Sequence, residues 1–336
     1  MRRHPVCAIC RIVTVEARPD ESSPAGRATQ DVIVDTDIGT DIDDAYAVLL
    51  AISSPELNLK GITVVHGDIE TRARIALKLL KLAGRADVPV LLGERYPVNR
   101  ERPIYWAGHE GRGIDFSDIE PALQLSRSDI LAPEFIARTA AERPGELLLV
   151  TIGPLTNVGV AFRDYPRDTA HLKGIVAMAS TFNGFGPESA GVEHNVVLDP
   201  EAAEIVLNSG IPILLVGLNV TRQTALARSH LAQIASARTP LADFMAHMTE
   251  DWLAVVNRDS TAMHDPLAVA ASFEPAVVAT VPVKAEVSRE TAGLVTYSEP
   301  RGESPIRIAA STDLDRFNEL FFSRILGAVE QQQGRR

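Results

Sequence analysis

Cysteine is nearly absent: Cys7 and Cys10 are the only two among 336 residues. One C-x-x-C pair gives no disulfide framework, so a reducing compartment, the cytoplasm, is the expected setting. The pair lacks the further ligands of a zinc site and reads as two incidental thiols. Basic residues are also short, 33 Lys and Arg against 44 Asp and Glu, for a net charge of −11. That balance argues against a nucleic-acid binder, which would normally show a basic face. No apolar run reaches the roughly 20 residues of a membrane-spanning helix, so no membrane partner is expected. What remains is a chain with 46% hydrophobic residues, enough to bury one large core or two modest ones.

The first thirty residues do not resemble the rest. Met1 to Pro5 is basic and Val6 to Val15 mostly apolar, but Arg11 interrupts the apolar stretch and no clean small-x-small cleavage site follows. Pro19 to Gln30 is rich in Pro, Ser, Gly and charge. Residues 1–30 are therefore expected to be a disordered extension, 31–330 a single catalytic domain and 331–336 a tail.

From Asp31 onward, short β-branched runs alternate with amphipathic segments. Val32–Asp35, Leu59–Val65, Val88–Leu92, Leu147–Thr151, Gly174–Ala177 and Ile213–Val216 read as buried strands. Helical patterns occupy Ala45–Ile52, Glu70–Leu82, Pro133–Glu142 and Pro200–Asn208, and further helices are expected over Leu226–Ser236, Leu241–Asn257 and Phe317–Val329. The pattern predicts an α/β fold with a mostly parallel central sheet flanked by helices, a Rossmann-like open sheet. Ligands of such sheets bind beyond the carboxyl ends of the strands. Two long insertions, Arg95–Leu131 and Ser180–Asp199, lie over that edge, where binding loops usually sit.

Asp35, Asp37, Asp41, Asp43 and Asp44 crowd the junction between the first strand and the first helix. Carboxylates this close raise one another's pKa, and partial burial adds a desolvation penalty; a bound cation relieves both. All-oxygen ligands favour a hard ion, Ca²⁺ or Mg²⁺. An EF-hand read from Asp35 fails, because Thr40 and Tyr46 stand where Gly and Glu are required. The nucleophile loop of the haloacid dehalogenase phosphatases fits the strand and the first two Asp, but Gly39 puts Thr40 one position late. A metal-dependent phosphatase of that kind stays as an alternative, with Lys173 as its conceivable phosphate-binding cation.

Four more polar clusters stand at strand ends: Thr151–Asn157 with its Ile152-Gly153-Pro154, Glu193-His194-Asn195 followed by Asp199–Ala203, Gly217–Thr221, and His264-Asp265-Pro266. With the opening Asp motif, and in this order, they resemble the inosine-uridine preferring nucleoside hydrolase family over nearly the whole chain from Asp31 to about Val329. The resemblance implies a calcium-dependent N-ribohydrolase acting on a small-molecule nucleoside, usually as a homodimer or homotetramer. It implies Ca²⁺ held by Asp37, Asp44, the carbonyl of Ile152 and Asp265, with Asp35 orienting the group from behind. Asp37 is then the general base on water and His264 the acid for the departing base, a role suited to a near-neutral imidazole. Asp43, Glu193 and Asn195 are implied ribose contacts. The commoner opening has Pro where Ile38 stands and lacks two residues, one of which is Asp41; Asp41 receives no role. The Asn expected six residues before Glu193 is replaced by Pro187, and Asn183 is the candidate substitute. Asp68 falls where the purine-specific branch has Asp and is a candidate substrate contact, and His109 is a candidate base contact. A non-catalytic calcium-binding member is the third reading, raised by Pro187 and by Ala179-Ser180 in place of Gly-Gly.

Overall fold

The computed structural model describes residues 29–126, 130–185, 191–288, 291 and 293–331. The expectations for residues 1–28, for Pro187 and for 332–336 lie outside that set, whereas Gln30 already belongs to the first strand. An eight-stranded sheet runs in the order β10-β13-β7-β5-β4-β1-β2-β3. Its strands are β1 (Gln30–Thr36), β2 (Leu57–Val64), β3 (Val90–Leu92), β4 (Leu148–Thr151), β5 (Gly174–Ala177), β7 (Ile213–Leu215), β10 (Val278–Pro282) and β13 (Ile306–Thr312). All neighbours are parallel except β10 with β13. Two smaller sheets pair β6 (Gly191–Val192) and β11 (Lys284–Val287) with β12 (Leu294–Ser298), and β8 (Leu226–Ala227) with β9 (Ser260–Thr261).

β1 shows why a parallel sheet covered on both faces reads as a continuous apolar run. Successive side chains point to opposite faces, so Val32 and Val34 enter one core while Ile33 enters the other. On the first face, the Asp43–Ser53 helix packs against the His264–Phe273 and Leu314–Glu330 helices; on the second lie the Ala132–Glu142, Thr156–Asp164 and Pro200–Leu207 helices. From β1 the chain moves outward through β2 and β3 to one edge, then crosses to β4 on the other side of β1. The carboxyl ends of β1 and β4 thus flank the reversal of strand order, where connecting loops diverge and open a crevice.

Two segments differ from the expectation. Leu226 and Ala227 pair with Ser260 and Thr261, so the helix expected from Leu226 starts at Arg228. The Ser180–Asp199 insertion holds β6 and a short helix, His194–Leu198. Among the described residues, no helix is long and apolar enough to cross a membrane.

Candidate active site

The Asp-rich loop leaves β1 at Thr36 and enters the helix at Asp43. Thr36 ties its two ends together: its hydroxyl donates to Asp44 Oδ1 at 2.5 Å and accepts from the Ile38 amide at 3.0 Å. Gly39 makes the turn at φ +116°, a conformation that L side chains rarely adopt, and a Cβ there would stand 2.6 Å from Ile75 Cδ1. Asp43 and Asp44 occupy the first helical turn, where the amides favour an anion. Asp43 Oδ2 also accepts from the Asp265 amide at 3.2 Å, which brings the start of the His264–Phe273 helix against the start of the first.

Carboxylate oxygens of Asp43, Asp44 and Asp265 consequently lie within 4.8 Å of one another, all buried. Burial and then repulsion push all three well above the usual carboxylate range: Asp41 and Asp44 act on Asp43, Asp37 on Asp44, and Asp43 on Asp265. Asp41 rises to about 7, again mainly through burial. Burial and crowding thus oppose full ionisation of the cluster. A divalent cation would favour it, and an all-oxygen donor set of this density fits a hard one.

Asp37, Asp43, Asp44, Ile152, Glu193, Asn195, His264 and Asp265 line one cavity of about 400 Å³, together with Asp41. β4 reaches it because residue 153 is glycine: a Cβ there would stand 2.8 Å from the Asp37 amide nitrogen. The Ile152 carbonyl accepts from Asn195 Nδ2 at 3.0 Å, and the same nitrogen donates to the Met178 carbonyl at 3.0 Å. Glu193 caps the His194–Leu198 helix, accepting from the amides of Asn195 (2.8 Å) and Val196 (3.2 Å), and it also accepts from Ser180 N at 3.1 Å. Its complete burial raises it to about 7 despite those bonds. His264 Nδ1 lies 2.7 Å from Thr221 Oγ1. Burial, helped by Arg222, lowers His264 to about 4, so its imidazole is neutral at pH 7 and not near its midpoint as expected.

Four other expected site residues stand outside the cavity wall. Asp35 lies beneath it, fully buried and pushed up to about 7 by burial; its Oδ1 accepts from Thr63 Oγ1 (2.5 Å) and Asn157 Nδ2 (2.7 Å). Asp68 caps the Ile69–Leu82 helix through the Glu70 and Thr71 amides and the Thr71 hydroxyl. His109 donates from Nε2 to the Thr40 carbonyl (2.8 Å) and stacks on Trp252 at 5.7 Å. Asn183 is exposed on the loop after β5. Conversely, Tyr105, Arg222 and Trp252 line the cavity without having been expected there, and Leu218 brings the Gly217–Thr221 cluster to it. Lys173 precedes β5 and binds Gln30 Oε1 at the amino edge of the sheet, the end opposite the carboxylates, where it cannot serve a phosphatase site beside Asp37.

The profile of the family described as "Inosine-uridine preferring nucleoside hydrolase" matches residues 32–319. The chain is 33% identical to uridine nucleosidase 1 of Arabidopsis thaliana over 253 residues, covering 73% of this chain and 74% of that protein. It is 31% identical to a pyrimidine-specific ribonucleoside hydrolase of Salmonella arizonae over 309 residues, 88% of this chain and 97% of that one. Among solved structures, the purine-preferring ribonucleoside hydrolase from Gardnerella vaginalis superposes with a TM-score of 0.76 at 27% identity, covering 90% of this chain and 100% of its own.

Proposed function

Since the chain belongs to the inosine-uridine preferring nucleoside hydrolase family, we propose that it hydrolyses the N-glycosidic bond of ribonucleosides to ribose and free base. The observation that carries this reading is the convergence of Asp37, Asp43, Asp44, Asp265, Glu193, Asn195 and His264 on one cavity at the strand-order reversal. Asp37, Asp44, Asp265 and the Ile152 carbonyl would hold Ca²⁺. Bound there, the ion supplies a fixed positive charge that compensates the crowded carboxylates and attracts water and the ribose 2′ and 3′ hydroxyls.

The remaining chemistry falls to the side chains. Asp37 accepts the proton of the water that adds to C1′, while the C1′–N bond breaks and its electron pair leaves with the base. Positive charge accumulates on the ribosyl ring in between, and a wall of carboxylates stabilises it. Asp43 accepts a hydrogen bond from a ribose hydroxyl, with Glu193 and Asn195 on the far side of the sugar. With the Thr221 hydroxyl donating to Nδ1, His264 carries its proton on Nε2 and hydrogen-bonds the departing base, stabilising the negative charge that builds on it until solvent protonates it, as a neutral imidazole polarises a carbonyl elsewhere. Asp35 fixes the strand end behind Asp37. Relatives named for uridine, pyrimidine and purine substrates all resemble the chain; we read His264 as favouring comparable turnover of uridine and inosine. We place the protein in the cytoplasm, in line with the near absence of cysteine, as a homodimer or homotetramer.

A panel of purine and pyrimidine ribosides assayed for reducing-sugar release, with and without chelator, tests the proposal. Calcium-dependent release from at least one riboside is expected. Tight calcium binding with no release from any of them would leave a non-catalytic calcium protein.

A further inference from the structure

Arg72 is fully buried in the Ile69–Leu82 helix, on the face that also carries Ile69, Ile75, Ala76 and Leu79. A guanidinium is taken out of water at this price only when its donors are well used. Its Nε donates to the His66 carbonyl at 2.6 Å, Nη1 to the Ile38 carbonyl at 3.1 Å and Nη2 to Thr40 Oγ1 at 3.2 Å. Nη2 also stands 3.7 Å from Asp37 Oδ2, and the guanidinium lies over the Trp106 ring at 5.1 Å. One planar group thereby joins three segments: the Asp loop, the turn after β2 and the loop before His109. His66 holds a left-handed backbone at φ 66°, a strained conformation for a residue other than glycine. Its Nε2 accepts from the Tyr105 amide at 3.0 Å, so the Arg72 bond to its carbonyl also steadies the loop that puts Tyr105 on the cavity wall.

We propose that Arg72 is a positioning residue that fixes the Asp37 carboxylate and the Asp loop through this set of simultaneous contacts. Five carboxylates in ten residues repel one another, and among the described residues Arg72 is the cation paired with Asp37. The inference rests on the reading of Asp37 as the water-activating base, but its physical content, that Arg72 acts through Asp37, can be tested without turnover. Lys would keep the charge yet reach one or two of the acceptors, because an ammonium lacks the planar fork.

The test is a double-mutant cycle of Arg72→Met and Asp37→Asn, with Arg72→Lys alongside, read as melting temperature of the metal-free protein and as calcium-induced thermal shift. Arg72→Met should lower the metal-free melting temperature by several degrees, and by clearly less in the Asp37→Asn background, where the carboxylate that Arg72 pairs with is already gone. In turnover, Arg72→Met and Arg72→Lys should each lose about 10²-fold in kcat, the scale of a 1 Å misplacement, with KM changed only a few-fold. Equal melting losses in both backgrounds would overturn the inference by showing that Arg72 braces the fold independently of Asp37. Wild-type kcat and thermal shift in Arg72→Lys would overturn it too, since charge alone would then suffice. If Arg72→Met does not fold, the cycle is run with Arg72→Gln, which also removes the charge. A protein that hydrolyses no riboside but shows the melting coupling would remove the proposed activity and keep the role of Arg72.

Discussion

Asp31 and Asp35 stand on the same strand with opposite fates. At the amino edge, Asp31 accepts from Asn58 Nδ2 at 2.6 Å and pairs with Arg143 Nη1 at 2.9 Å, so both oxygens are satisfied by protein groups. Asp35, at the carboxyl end, has both of its hydrogen bonds on Oδ1, and among the described residues Oδ2 has no partner; nor has the buried Thr151 hydroxyl on β4. The left-handed backbones of His66 and Ser180 follow the carboxyl ends of β2 and β5. At the amino edge Glu56 Oε2 is likewise without a partner, but its other oxygen pairs with Arg324 at 2.8 Å, whereas the carboxyl edge concentrates crowded acids and strain of the kind that cluster at functional sites. A buried polar atom without a partner costs about 1–3 kcal/mol. A cation bound at the carboxyl edge would therefore contribute to the fold as well as to the chemistry.

The sharpest way to break this contrast is to remove the cation. Chelation should abolish turnover and lower the melting temperature, because an ion that binds only the native state stabilises it. Asp44→Ala should do both with calcium present. At the amino edge, Asp31→Asn should leave kcat unchanged and cost about 1 kcal/mol of stability, the scale of one charged hydrogen bond to a half-exposed partner. Full activity after exhaustive chelation would sink the metal assignment. Next in size is Asp37→Asn, which should keep the circular dichroism of the folded protein while losing kcat by at least the roughly 10²- to 10⁴-fold of a general base. A loss below about tenfold would put water activation on another residue.

His264 gives a smaller and more selective effect. Its replacement by Ala should lower kcat about 10²-fold on inosine and uridine, whose bases depart with a proton. On 4-nitrophenyl riboside, whose leaving group needs none, the variant should stay close to wild type. Equal losses on the two kinds of substrate would mean that His264 holds the sugar or the adjoining Asp265 and does not assist the leaving group.

How far the sequence reveals these features depends on how local their cause is. β5 matches its expected bounds, and β1 and β4 lie within two residues of theirs, because β-branched runs end where polar residues begin. The Asp motif was equally visible, since crowded carboxylates in an apolar context are costly wherever they occur. Tyr105, Arg222 and Trp252 were not, because a long loop or the far half of the chain carries them to the cavity and no local pattern marks the approach. Arg72 did leave a signal: a charged residue on the apolar stripe of an amphipathic helix, between Ile69 and Ile75. His194–Leu198 and Leu218–Thr221 are too short for a helical period to show.

The smallest effect belongs to Asp68, a candidate substrate contact by sequence likeness that stands at a helix start. It accepts from the Glu70 and Thr71 amides and the Thr71 hydroxyl, and Arg95 stands 3.9 Å from its Oδ1. Partial burial raises its pKa, but the Thr71 hydrogen bonds and Arg95 outweigh that and hold it below the usual carboxylate range. Those contacts use both oxygens in capping, and the side chain is 43% exposed. Asn caps a helix about as well as Asp. Asp68→Asn should therefore change neither the melting temperature nor, beyond about twofold, kcat/KM on any riboside, as for a surface substitution worth under about 0.5 kcal/mol. A carboxylate that instead accepted a ribose hydroxyl in the closed complex would give up a charged hydrogen bond of about 1.5–3 kcal/mol, roughly ten- to hundredfold in kcat/KM. A loss of that size, with the fold intact, would move Asp68 from the scaffold to the substrate and show that the turn after β2 closes on the sugar during binding.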